Sequence, residues 1–513
     1  MDCRTPSSYP YPWLAHYDAF VPHHLEYAEQ SIPQLFQRAT MTHGDEVALE
    51  FMGTAVTYRE LEIGATRIAN HLMQLGVKPG DRVLLLYPNT PHFVLSYYGA
   101  LKCGAVVVPA SPLDTATEVE YKLKHSQSKI VFFLDLLYGS VKGLVQNSGV
   151  VQFIAGDLAD YLPFPQRHLF RIKKKTMARE LPDCRTSSKL ARFTDVASGG
   201  SKDDVSVETR PDELAVILYT GGTTGLSKGV MLSHRALAVN QEMAKAWADL
   251  SSADVQLCVL PFFHGFGLSV GLHLGLIHGL KLVLVPRFDP KSVLSNIEKR
   301  GVTIFAGVPT MYIAMLRHPS FRKLRRARLR GCFVGAAPAP ESLKEQFQEK
   351  TGGMLIEGYG LTEAVTAKSA NPYKGTKKPR SIGLPWPDVV FKIVDPDTGE
   401  ELGPGREGEL ILKSPDIMMG YWKNEEATRD AIRDGWLYTG DIARMDDDGY
   451  FYIVDRKKDL IICGGYNVYP TEVEEVLFQL PQVEQACVIG VPDDYKGEVP
   501  KAYLVLKPGQ RLT

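Results

Sequence analysis

Features that would assign this chain to a specialised class at once are scarce. Its seven cysteines among 513 residues are scattered and form no C-x-x-C pair, which argues against a disulfide framework or a zinc site and predicts reduced thiols in the cytoplasm. The formal net charge of −1 creates no global field that would recruit nucleic acid or an anionic membrane. The first twenty residues lack a basic segment followed by an apolar one, so no signal peptide is visible. These absences predict a soluble globular protein.

Long uninterrupted apolar runs are also missing. The most membrane-like stretch, residues 268–285, is interrupted by His273, His278 and Lys281. A buried helix followed by a buried strand explains this stretch better than a membrane span, because a span needs about 20 predominantly apolar residues in a row.

Strand and helix patterns alternate along most of the chain. A capping box at residues 57–60 (TYRE) predicts a helix that ends at Gly76. Residues 82–87 predict a buried strand, 97–109 predict a helix followed by a strand, and the alternation resumes over 280–306. We therefore expect an α/β fold with a large, multi-subdomain N-terminal domain, in which mostly parallel sheets are flanked by helices.

Two segments break this alternation. Residues 163–211 hold few large apolar side chains and a Lys/Arg run, RIKKKTMAR. They predict a long surface excursion whose charges form a solvated face, with contact to acidic lipid as the alternative. The character changes again near residue 455, and a second capping box at 471–474 (TEVE) predicts another helix. We therefore place the domains at 1–457 and 458–513, the second being a small α+β domain.

The loop after the apolar run 214–219 is rich in glycine and hydroxyl side chains and carries a lysine. Glycines let backbone N–H groups approach an anion closely, while hydroxyl and ammonium groups add donors and charge. The Walker pattern does not fit, because Ser227 stands where it needs glycine and Gly229 stands where it needs Ser or Thr. The loop predicts a polyphosphate cradle, and a flexible surface loop is the alternative. Its members are Thr220, Gly221, Gly222, Thr223, Thr224, Gly225 and Lys228.

Further segments downstream complete a recognisable series. They are residues 261–267 (PFFHGFG), 335–338 (GAAP), 357–363 (EGYGLTE), 436–441 (WLYTGD) and 455–459 (DRKKD). In this order and together with the loop, they resemble the motifs of the acyl-adenylate-forming superfamily, which includes acyl-CoA synthetases, luciferases and peptide-synthetase adenylation domains. The resemblance is strongest to bacterial long-chain fatty acid–CoA ligases. It implies an enzyme that uses ATP and Mg²⁺ to convert a fatty acid to acyl-AMP, then transfers the acyl group to coenzyme A and releases AMP and pyrophosphate.

The resemblance also assigns roles to single residues. It implies that Glu363 holds Mg²⁺, that Thr362 and Lys228 hold phosphate, and that His264 lies near the substrate carboxylate. One carboxylate together with nucleotide phosphates and water is a reasonable magnesium site. For the nucleotide, the resemblance implies that Gly335, Ala336, Ala337 and Pro338 lie along the adenine and that Tyr359 stacks on it. It implies that Asp441 binds the ribose hydroxyls and that Arg456 reaches ribose and phosphate. It also implies that Lys458 is the hinge of the small domain and that Gly464 and Gly465 lie beside the pantetheine arm of coenzyme A.

The acid-binding side is less defined. Gly271, Gly275 and Gly279, with residues 307–310 as a further wall, are compatible with a long acyl tunnel. Helix packing predicts the same glycine pattern.

Two departures from the family pattern bear on activity. Ser227 replaces the usual proline, which predicts a softer loop that still functions. The family's adenylation lysine belongs near the far end of the small domain, and Lys501 and Lys507 come too early to be that residue. We expect that the chain ends inside its small domain and adenylates fatty acids far more slowly than a full-length relative. Normal ATP–pyrophosphate exchange would contradict this expectation.

Other functions stay open from the sequence. The acid could be medium-chain or aryl, the acceptor could be a carrier protein, or the chain could bind ATP and acyl-AMP without turnover. A serine hydrolase is a further rival, because residues 225–229 (GLSKG) and 267–271 (GLSVG) fit G-x-S-x-G. Neither string has the strand, sharp turn and helix that a nucleophile elbow needs. Nucleic acid is not expected as a partner, whereas a homodimer and peripheral contact with the inner membrane face are left open.

Overall fold

Four β-sheets and their flanking helices form the described part of the chain. This computed structural model describes residues 11–177, 184, 188–203, 205, 207–220, 227–324, 327–463, 466–493 and 496–511. In chain order the strands are β1 (Val47–Phe51), β2 (Thr54–Thr57), β3 (Arg82–Leu86), β4 (Val106–Pro109), β5 (Ile130–Leu134), β6 (Gln152–Gly156), β7 (Leu190–Arg192), β8 (Leu214–Thr220), β9 (Lys228–Ser233), β10 (Val255–Cys258), β11 (Lys281–Leu284), β12 (Ile304–Gly307), β13 (Gly331–Val334), β14 (Met354–Gly360), β15 (Ala367–Ala370), β16 (Leu384–Pro385), β17 (Val390–Val394), β18 (Gly408–Lys413), β19 (Gly420–Tyr421), β20 (Ile432–Arg433), β21 (Trp436–Met445), β22 (Phe451–Arg456), β23 (Ile461–Cys463), β24 (Tyr466–Val468), β25 (Val483–Asp493) and β26 (Gly497–Leu506).

The helices fill the connections between these strands. They are α1 (Ile32–Thr42), α2 (Tyr58–Gln74), α3 (Pro91–Lys102), α4 (Ala116–Ser126), α5 (Tyr138–Asn147), α6 (Gln166–Met177), α7 (Phe193–Ser198), α8 (His234–Ala248), α9 (Leu274–Ile277), α10 (Pro290–Arg300), α11 (Pro309–Arg317), α12 (Glu341–Thr351), α13 (Glu425–Ala431) and α14 (Pro470–Phe478). A π-helix, Gly267–His273, leads directly into α9.

Two large sheets make up the body of the protein. The nine-stranded sheet has the order β16-β15-β14-β13-β12-β10-β11-β1-β2, and the eight-stranded sheet has the order β19-β9-β8-β4-β3-β5-β6-β7. The pairings among β10 to β14 and among β3 to β7 are parallel, and antiparallel strands lie at the sheet ends. Every residue of β5 is buried, as expected for a strand covered by helices on both faces. The predicted α/β fold with mostly parallel sheets is therefore confirmed.

Two antiparallel sheets complete the fold. The five-stranded sheet contains β17, β18, β20, β21 and β22, and the four-stranded sheet contains β23 to β26. The second of these packs with α14 and forms the small C-terminal α+β region that the sequence predicts. The exact boundary at residue 458 stays a prediction.

The two predicted capping boxes have different outcomes. The Thr57 hydroxyl accepts the Glu60 N–H at 3.2 Å and the Glu60 carboxylate accepts the Thr57 N–H at 2.8 Å, so α2 begins as predicted. The second box is wrong, because α14 already begins at Pro470. Proline loses no hydrogen bond at the first helical turn, and the Thr471 N–H donates instead to the Asp455 carboxylate at 3.0 Å.

The predicted excursion at 163–211 is partly wrong. It contains α6, β7 and α7, and β7 extends the eight-stranded sheet by pairing in parallel with β6. Leu190, Phe193 and Val196 are buried there. Three widely spaced apolar residues in a polar segment are too weak a periodic signal to predict an edge strand and a short helix.

The stretch 268–285 folds as predicted, as a buried helix followed by the buried strand β11. Within the described residues, no helix has both the length and the hydropathy needed to cross a bilayer.

Candidate active site

A cleft of about 1120 Å³ brings most of the predicted site residues together. Strands β13 and β14 are parallel neighbours, so the segments that follow them emerge at the same edge of the sheet, where α/β proteins bind ligands. Strands β21 and β22 close the opposite side. The predicted residues that line the cleft are Thr220, His264, Gly335, Ala336, Ala337, Pro338, Tyr359, Thr362, Glu363, Asp441, Arg456 and Lys458.

The cleft holds a preformed hydrogen-bonded group around Asp441. The Tyr359 hydroxyl donates to Asp441 Oδ2 at 2.5 Å, and Arg456 Nε lies 3.4 Å from Asp441 Oδ1. Asp441 and Arg456 face each other because β21 and β22 pair antiparallel in this register. Burial raises the pKa of Asp441, and the bond from Tyr359 and the charge of Arg456 oppose that rise. The carboxylate is therefore held in place as an acceptor for hydroxyl groups.

The small-residue turn after β13 lies beside this group. A Cβ atom on Gly335 would come within 3.1 Å of the Gly358 carbonyl oxygen, so the two backbones are packed closely. Ala336 has a φ of 67°, in the left-handed region that non-glycine residues rarely adopt. Strain of this kind occurs preferentially at ligand sites. The turn therefore offers bare backbone next to the Tyr359 ring, as a flat base requires.

Thr362 and Glu363 also line the cleft, and both lie in a short 3₁₀ helix, Thr362–Ala364. The Tyr421 hydroxyl donates to Glu363 Oε1 at 2.8 Å, and the Met418 N–H donates to the Glu363 carbonyl at 2.7 Å. Lys228 Nζ lies 4.9 Å from the centre of the Tyr421 ring. Tyr421 thus links the predicted phosphate lysine to the predicted magnesium ligand.

The glycine-rich loop is described only at its two ends. Thr220 and Lys228 are cross-strand partners in the β8–β9 pair. The Ser227 carbonyl accepts the Tyr121 hydroxyl at 2.9 Å, so the residue that stands where proline is usual has a bond to α4. Gly221, Gly222, Thr223, Thr224 and Gly225 lie outside the described residues, as do Gly464 and Gly465, so their roles stay predictions.

His264 lies at the rim of the cleft. Its Nδ1 accepts the Phe266 N–H at 3.2 Å, so the proton of the neutral ring is on Nε2. The surrounding protein lowers the pKa of His264, although the residue remains accessible from the cleft. At neutral pH it is an uncharged hydrogen-bond donor.

Part of the cleft is an apolar recess between two helices. Ala244 and Trp247 of α8 form one wall, and Val270 and Leu274 form the other. The Trp247 indole N–H donates to the Asn371 carbonyl at 3.1 Å, so the large ring is fixed in place. A recess of this composition suits an apolar group.

The predicted tunnel glycines do not form this recess among the described lining residues. A Cβ atom on Gly275 would lie 2.2 Å from Leu282, and one on Gly279 would lie 2.3 Å from the His43 ring. Gly271 similarly packs against Phe262. These glycines allow the helices to approach their neighbours closely, so helix packing explains the pattern.

The serine-hydrolase pattern has no support in the geometry. Ser269 is buried inside the π-helix, where it donates to Asn240 at 2.5 Å and accepts from Gln241 at 3.1 Å. Ser227 is followed by strand β9 and not directly by a helix. Neither serine occupies the strand–turn–helix elbow that exposes a nucleophile.

No group of three or more metal-binding side chains occurs in the described ranges. Glu363 is a carboxylate beside a threonine, with one oxygen already bonded to Tyr421. Such a donor set fits a Mg²⁺ ion that is held mainly by nucleotide phosphates and water, as this ion prefers.

Two family models match the chain. The AMP-binding enzyme model covers residues 36–422, and the model of the AMP-binding enzyme C-terminal domain covers residues 472–513. The chain belongs to the AMP-binding enzyme family.

Individual relatives match over nearly the whole length of this AMP-binding enzyme. It is 40% identical over 507 residues to a long-chain-fatty-acid–CoA ligase of Bacillus subtilis (strain 168). The aligned region covers 98% of this chain and 90% of the relative. It is 35% identical over 501 residues to a long-chain-fatty-acid–CoA ligase of Escherichia coli O157:H7, with 96% and 89% covered.

Solved structures share its fold. ATP-bound MatB from Rhodopseudomonas palustris superposes with a TM-score of 0.82 at 31% identity, covering 94% of this chain and 90% of that one. The anthranilate CoA ligase AuaEII in complex with anthranoyl-AMP gives a TM-score of 0.83 at 26% identity, with 95% and 89% covered.

Two residues of this site, Tyr421 and Trp247, could not be predicted from the sequence of the AMP-binding enzyme. Tyr421 is hydrogen-bonded to Glu363, which lies 58 residues earlier in the chain. Trp247 lines the cleft from the C-terminal end of α8. A Gly-Tyr-Trp string and an aromatic residue on a helix are too common to predict either role. The structure finds them because strand β19 pairs with β9 and carries Tyr421 to the phosphate loop.

Proposed function

We propose that this AMP-binding enzyme joins a long-chain fatty acid to coenzyme A, using ATP and releasing AMP and pyrophosphate. The observation that carries the proposal is the single cleft that is lined both by a carboxylate suited to bind hydroxyl groups, Asp441, and by an apolar recess between α8 and the π-helix. The Thr362–Glu363 pair lines the same cleft. Relatives named long-chain-fatty-acid–CoA ligases support the substrate class, at 34–40% identity.

The residues of the cleft suit the first step. The fatty carboxylate attacks the α-phosphorus of ATP, an oxygen–phosphorus bond forms, and the bond to pyrophosphate breaks. Asp441 and Tyr359 would fix the ribose and base, while Thr362 and Lys228 would bind the phosphates. His264, as a neutral donor, would orient the carboxylate without neutralising its charge. Bound Mg²⁺, held by Glu363 and the nucleotide, would supply charge neutralisation on the phosphates.

The second step needs no protein nucleophile. The sulfur of coenzyme A attacks the acyl carbonyl carbon, the bond to AMP breaks, and the thiol proton passes to solvent. Lys458 lines the cleft at the start of the small region. We propose it as the hinge about which that region changes position between the two steps.

The apolar recess supports an aliphatic acid. Its walls are aliphatic and aromatic, and no lining residue that the structure describes on α8 or the π-helix is charged. The alternatives of a medium-chain acid, an aryl acid or a protein that binds without turnover are not favoured by the long-chain relatives.

The test uses the chain with ATP, Mg²⁺, coenzyme A and unbranched fatty acids of graded length, with acyl-CoA measured by mass spectrometry. We expect long chains to be preferred over short and aryl acids. Preformed acyl-AMP with coenzyme A isolates the second step. If no acid and no acyl-AMP gives a thioester, the proposed function is wrong.

A cytoplasmic location, a homodimer and peripheral contact with a membrane are also proposals. The free cysteines accord with the cytoplasmic location and the lipid substrate class with the membrane contact, whereas the homodimer rests on no observation of the structure.

A further inference from the structure

Helix α4 contacts both ends of the glycine-rich loop. Its Tyr121 hydroxyl donates to the Ser227 carbonyl at 2.9 Å, where the loop leads into β9. Its His125 Nδ1 lies 2.8 Å from the hydroxyl oxygen of Tyr219, within hydrogen-bond distance, where β8 leads into the loop. We call Tyr121 and His125 the α4 clamp.

The geometry of the α4 clamp follows from its spacing. Residues four apart lie on the same face of a helix, and the rings of Tyr121 and His125 stack with centroids 5.3 Å apart and an angle of 11° between their planes. The Tyr219 ring packs edge-on against both, with centroid distances of 6.1 and 5.8 Å. Aromatic pairs prefer these two arrangements. One face of α4 therefore presents an ordered group of rings to the loop.

A second attachment fixes α4 itself. The Trp422 indole N–H donates to the His125 carbonyl at 3.0 Å, and Lys423 Nζ donates to the same oxygen at 3.3 Å. A cation is favourable near a helix C-terminus, where the last carbonyls lack partners within the helix. The Trp422 N–H in turn donates to the Gly229 carbonyl at 2.7 Å. The helix is therefore also tied to β9, the strand that follows the loop.

The residue that Tyr121 holds is the one that departs from the family pattern. Ser227 stands where the family usually has proline, which fixes the backbone torsion φ without a contact to any other element. Serine leaves that torsion free, so ordering the loop costs more conformational entropy. A bond from a fixed helix to the Ser227 carbonyl restores part of the restraint.

We propose that the α4 clamp positions the glycine-rich loop for the β- and γ-phosphates of ATP, and that Tyr121 replaces the restraint that proline usually provides. A loop that is ordered before its ligand arrives loses less entropy on binding. Tyr121 and His125 are positioning residues, because they contact the ends of the loop and are not among the described residues that line the cleft. The inference rests on the proposed function, since it assumes that the loop binds nucleotide phosphates.

The experiment compares the affinities of the full chain for ATP and for AMP by isothermal titration calorimetry in the presence of Mg²⁺. AMP lacks the β- and γ-phosphates, so the ratio of the two affinities reports on the loop, whereas general damage to the site would weaken both. Tyr121→Phe and His125→Phe each remove one bond to the loop and keep an aromatic ring in the stack. We expect each to lower the affinity for ATP by about fivefold and the double variant to lower it by at least about tenfold, with a change of less than about twofold for AMP.

A rescue variant tests whether backbone restraint is what Tyr121 provides. Ser227→Pro fixes the torsion at that end of the loop, so Tyr121→Phe/Ser227→Pro should bind ATP within about twofold of the unchanged protein. The same proline should not rescue His125→Phe, because His125 holds the other end of the loop.

Tyr58→Phe is the matched control. Tyr58 also lies on a helix, and its hydroxyl donates to a main-chain carbonyl, that of Leu280, at 2.7 Å, beside the β1–β2–β11 end of the nine-stranded sheet. The variant should bind ATP and AMP as the unchanged protein does. The proposal is overturned if the double variant binds ATP normally, if the affinities for ATP and AMP fall equally, if Tyr58→Phe also changes their ratio, or if Ser227→Pro does not restore ATP binding to Tyr121→Phe.

The same titrations separate this inference from the proposed function. If the unchanged protein binds neither ATP nor AMP, the nucleotide site and the proposed function are wrong, and the role of the α4 clamp is wrong with them. If the unchanged protein binds both and the clamp variants keep its ratio of affinities, only the role of the α4 clamp is wrong.

Discussion

Two groups of charged side chains differ in where they find their partners. Behind the cleft, Lys368 and Asp416 are fully buried, with 2.5 Å between Nζ and Oδ2. Asn240 donates to the same carboxylate at 3.0 Å, and Ser414 also bonds to Asp416. In the cleft, Glu363 and Asp441 are each bonded by one tyrosine and also face the cavity.

The difference separates charges that hold the fold from charges kept for a ligand. The buried group joins α8, β15 and the π-helix, because Ser269 bonds to Asn240 on its far side. Burial lowers the pKa of Lys368, and the neighbouring Asp416 opposes that shift. Completing such a group inside the protein avoids a large desolvation cost, whereas the cleft residues retain capacity for the ligand.

The sharpest test of this contrast removes the buried cation. Lys368→Met leaves the Asp416 carboxylate buried without its partner, so we expect the free energy of unfolding to fall by about 3–5 kcal/mol. Urea denaturation measures the loss. Lys374→Met is the control, because Lys374 pairs with Asp249 at the surface and should cost at most about 1 kcal/mol. Equal losses in the two variants would erase the distinction.

Asp441→Asn in the cleft should weaken ligand binding and leave the stability of the fold nearly unchanged. One acceptor for the ribose hydroxyls and the charge opposite Arg456 are lost, so the affinity for ATP should fall by about 10- to 100-fold. Stability should change little. Isothermal titration calorimetry measures the affinity, and Asp447→Asn on the exposed turn of the same sheet is the control. Unchanged ATP binding would mean that Asp441 has no part in the nucleotide site.

The pH dependence of stability tests a second buried titratable group, the imidazole of His273. Burial lowers the pKa of His273 to about 3 from an ordinary value of 6.5, and its Nε2 lies 2.9 Å from the Tyr97 hydroxyl. The unfolded chain binds a proton below pH 6.5 and the folded chain does not, so stability should be lost as the pH falls from 6.5 towards 3.

His273→Gln should remove about 1 kcal/mol per pH unit from that dependence. Urea denaturation at about pH 7 and about pH 5 gives the slope, in the range where carboxylates contribute least. His168→Gln is the control, since His168 is exposed. An identical slope in the His273 variant would contradict a neutral, buried imidazole.

The smallest effect is expected at Tyr421, which supports the cleft without completing it. Tyr421→Phe removes the bond to Glu363 and keeps the ring beneath Lys228. We expect the affinity for Mg²⁺-ATP to fall by about threefold, the usual worth of one hydrogen bond. Tyr503→Phe on the exposed sheet of the small region is the matched control. A loss as large as that of Asp441→Asn would place Tyr421 among the ligand-binding residues.

Local patterns predicted much of this molecule. The capping box of α2, the strands β3, β4 and β11, and the parallel α/β class all follow from hydrophobic periodicity and cap residues, which act within a few positions. The prediction failed where the deciding contact was distant. Thr471 is drawn to Asp455, and β7 is a strand only because β6 offers it an edge.

The sequence by itself determined the motifs of carboxylate activation, because each depends on a few adjacent residue types that bind phosphate, base or ribose. Tertiary structure alone decided how those motifs meet. It set Asp441 opposite Arg456, brought Tyr421 to Glu363, and assigned the tunnel glycines to helix packing. It also exposed Leu169 and Ile172 beside the basic run. Strand register and helix docking make these contacts, and both depend on residues far apart in the chain.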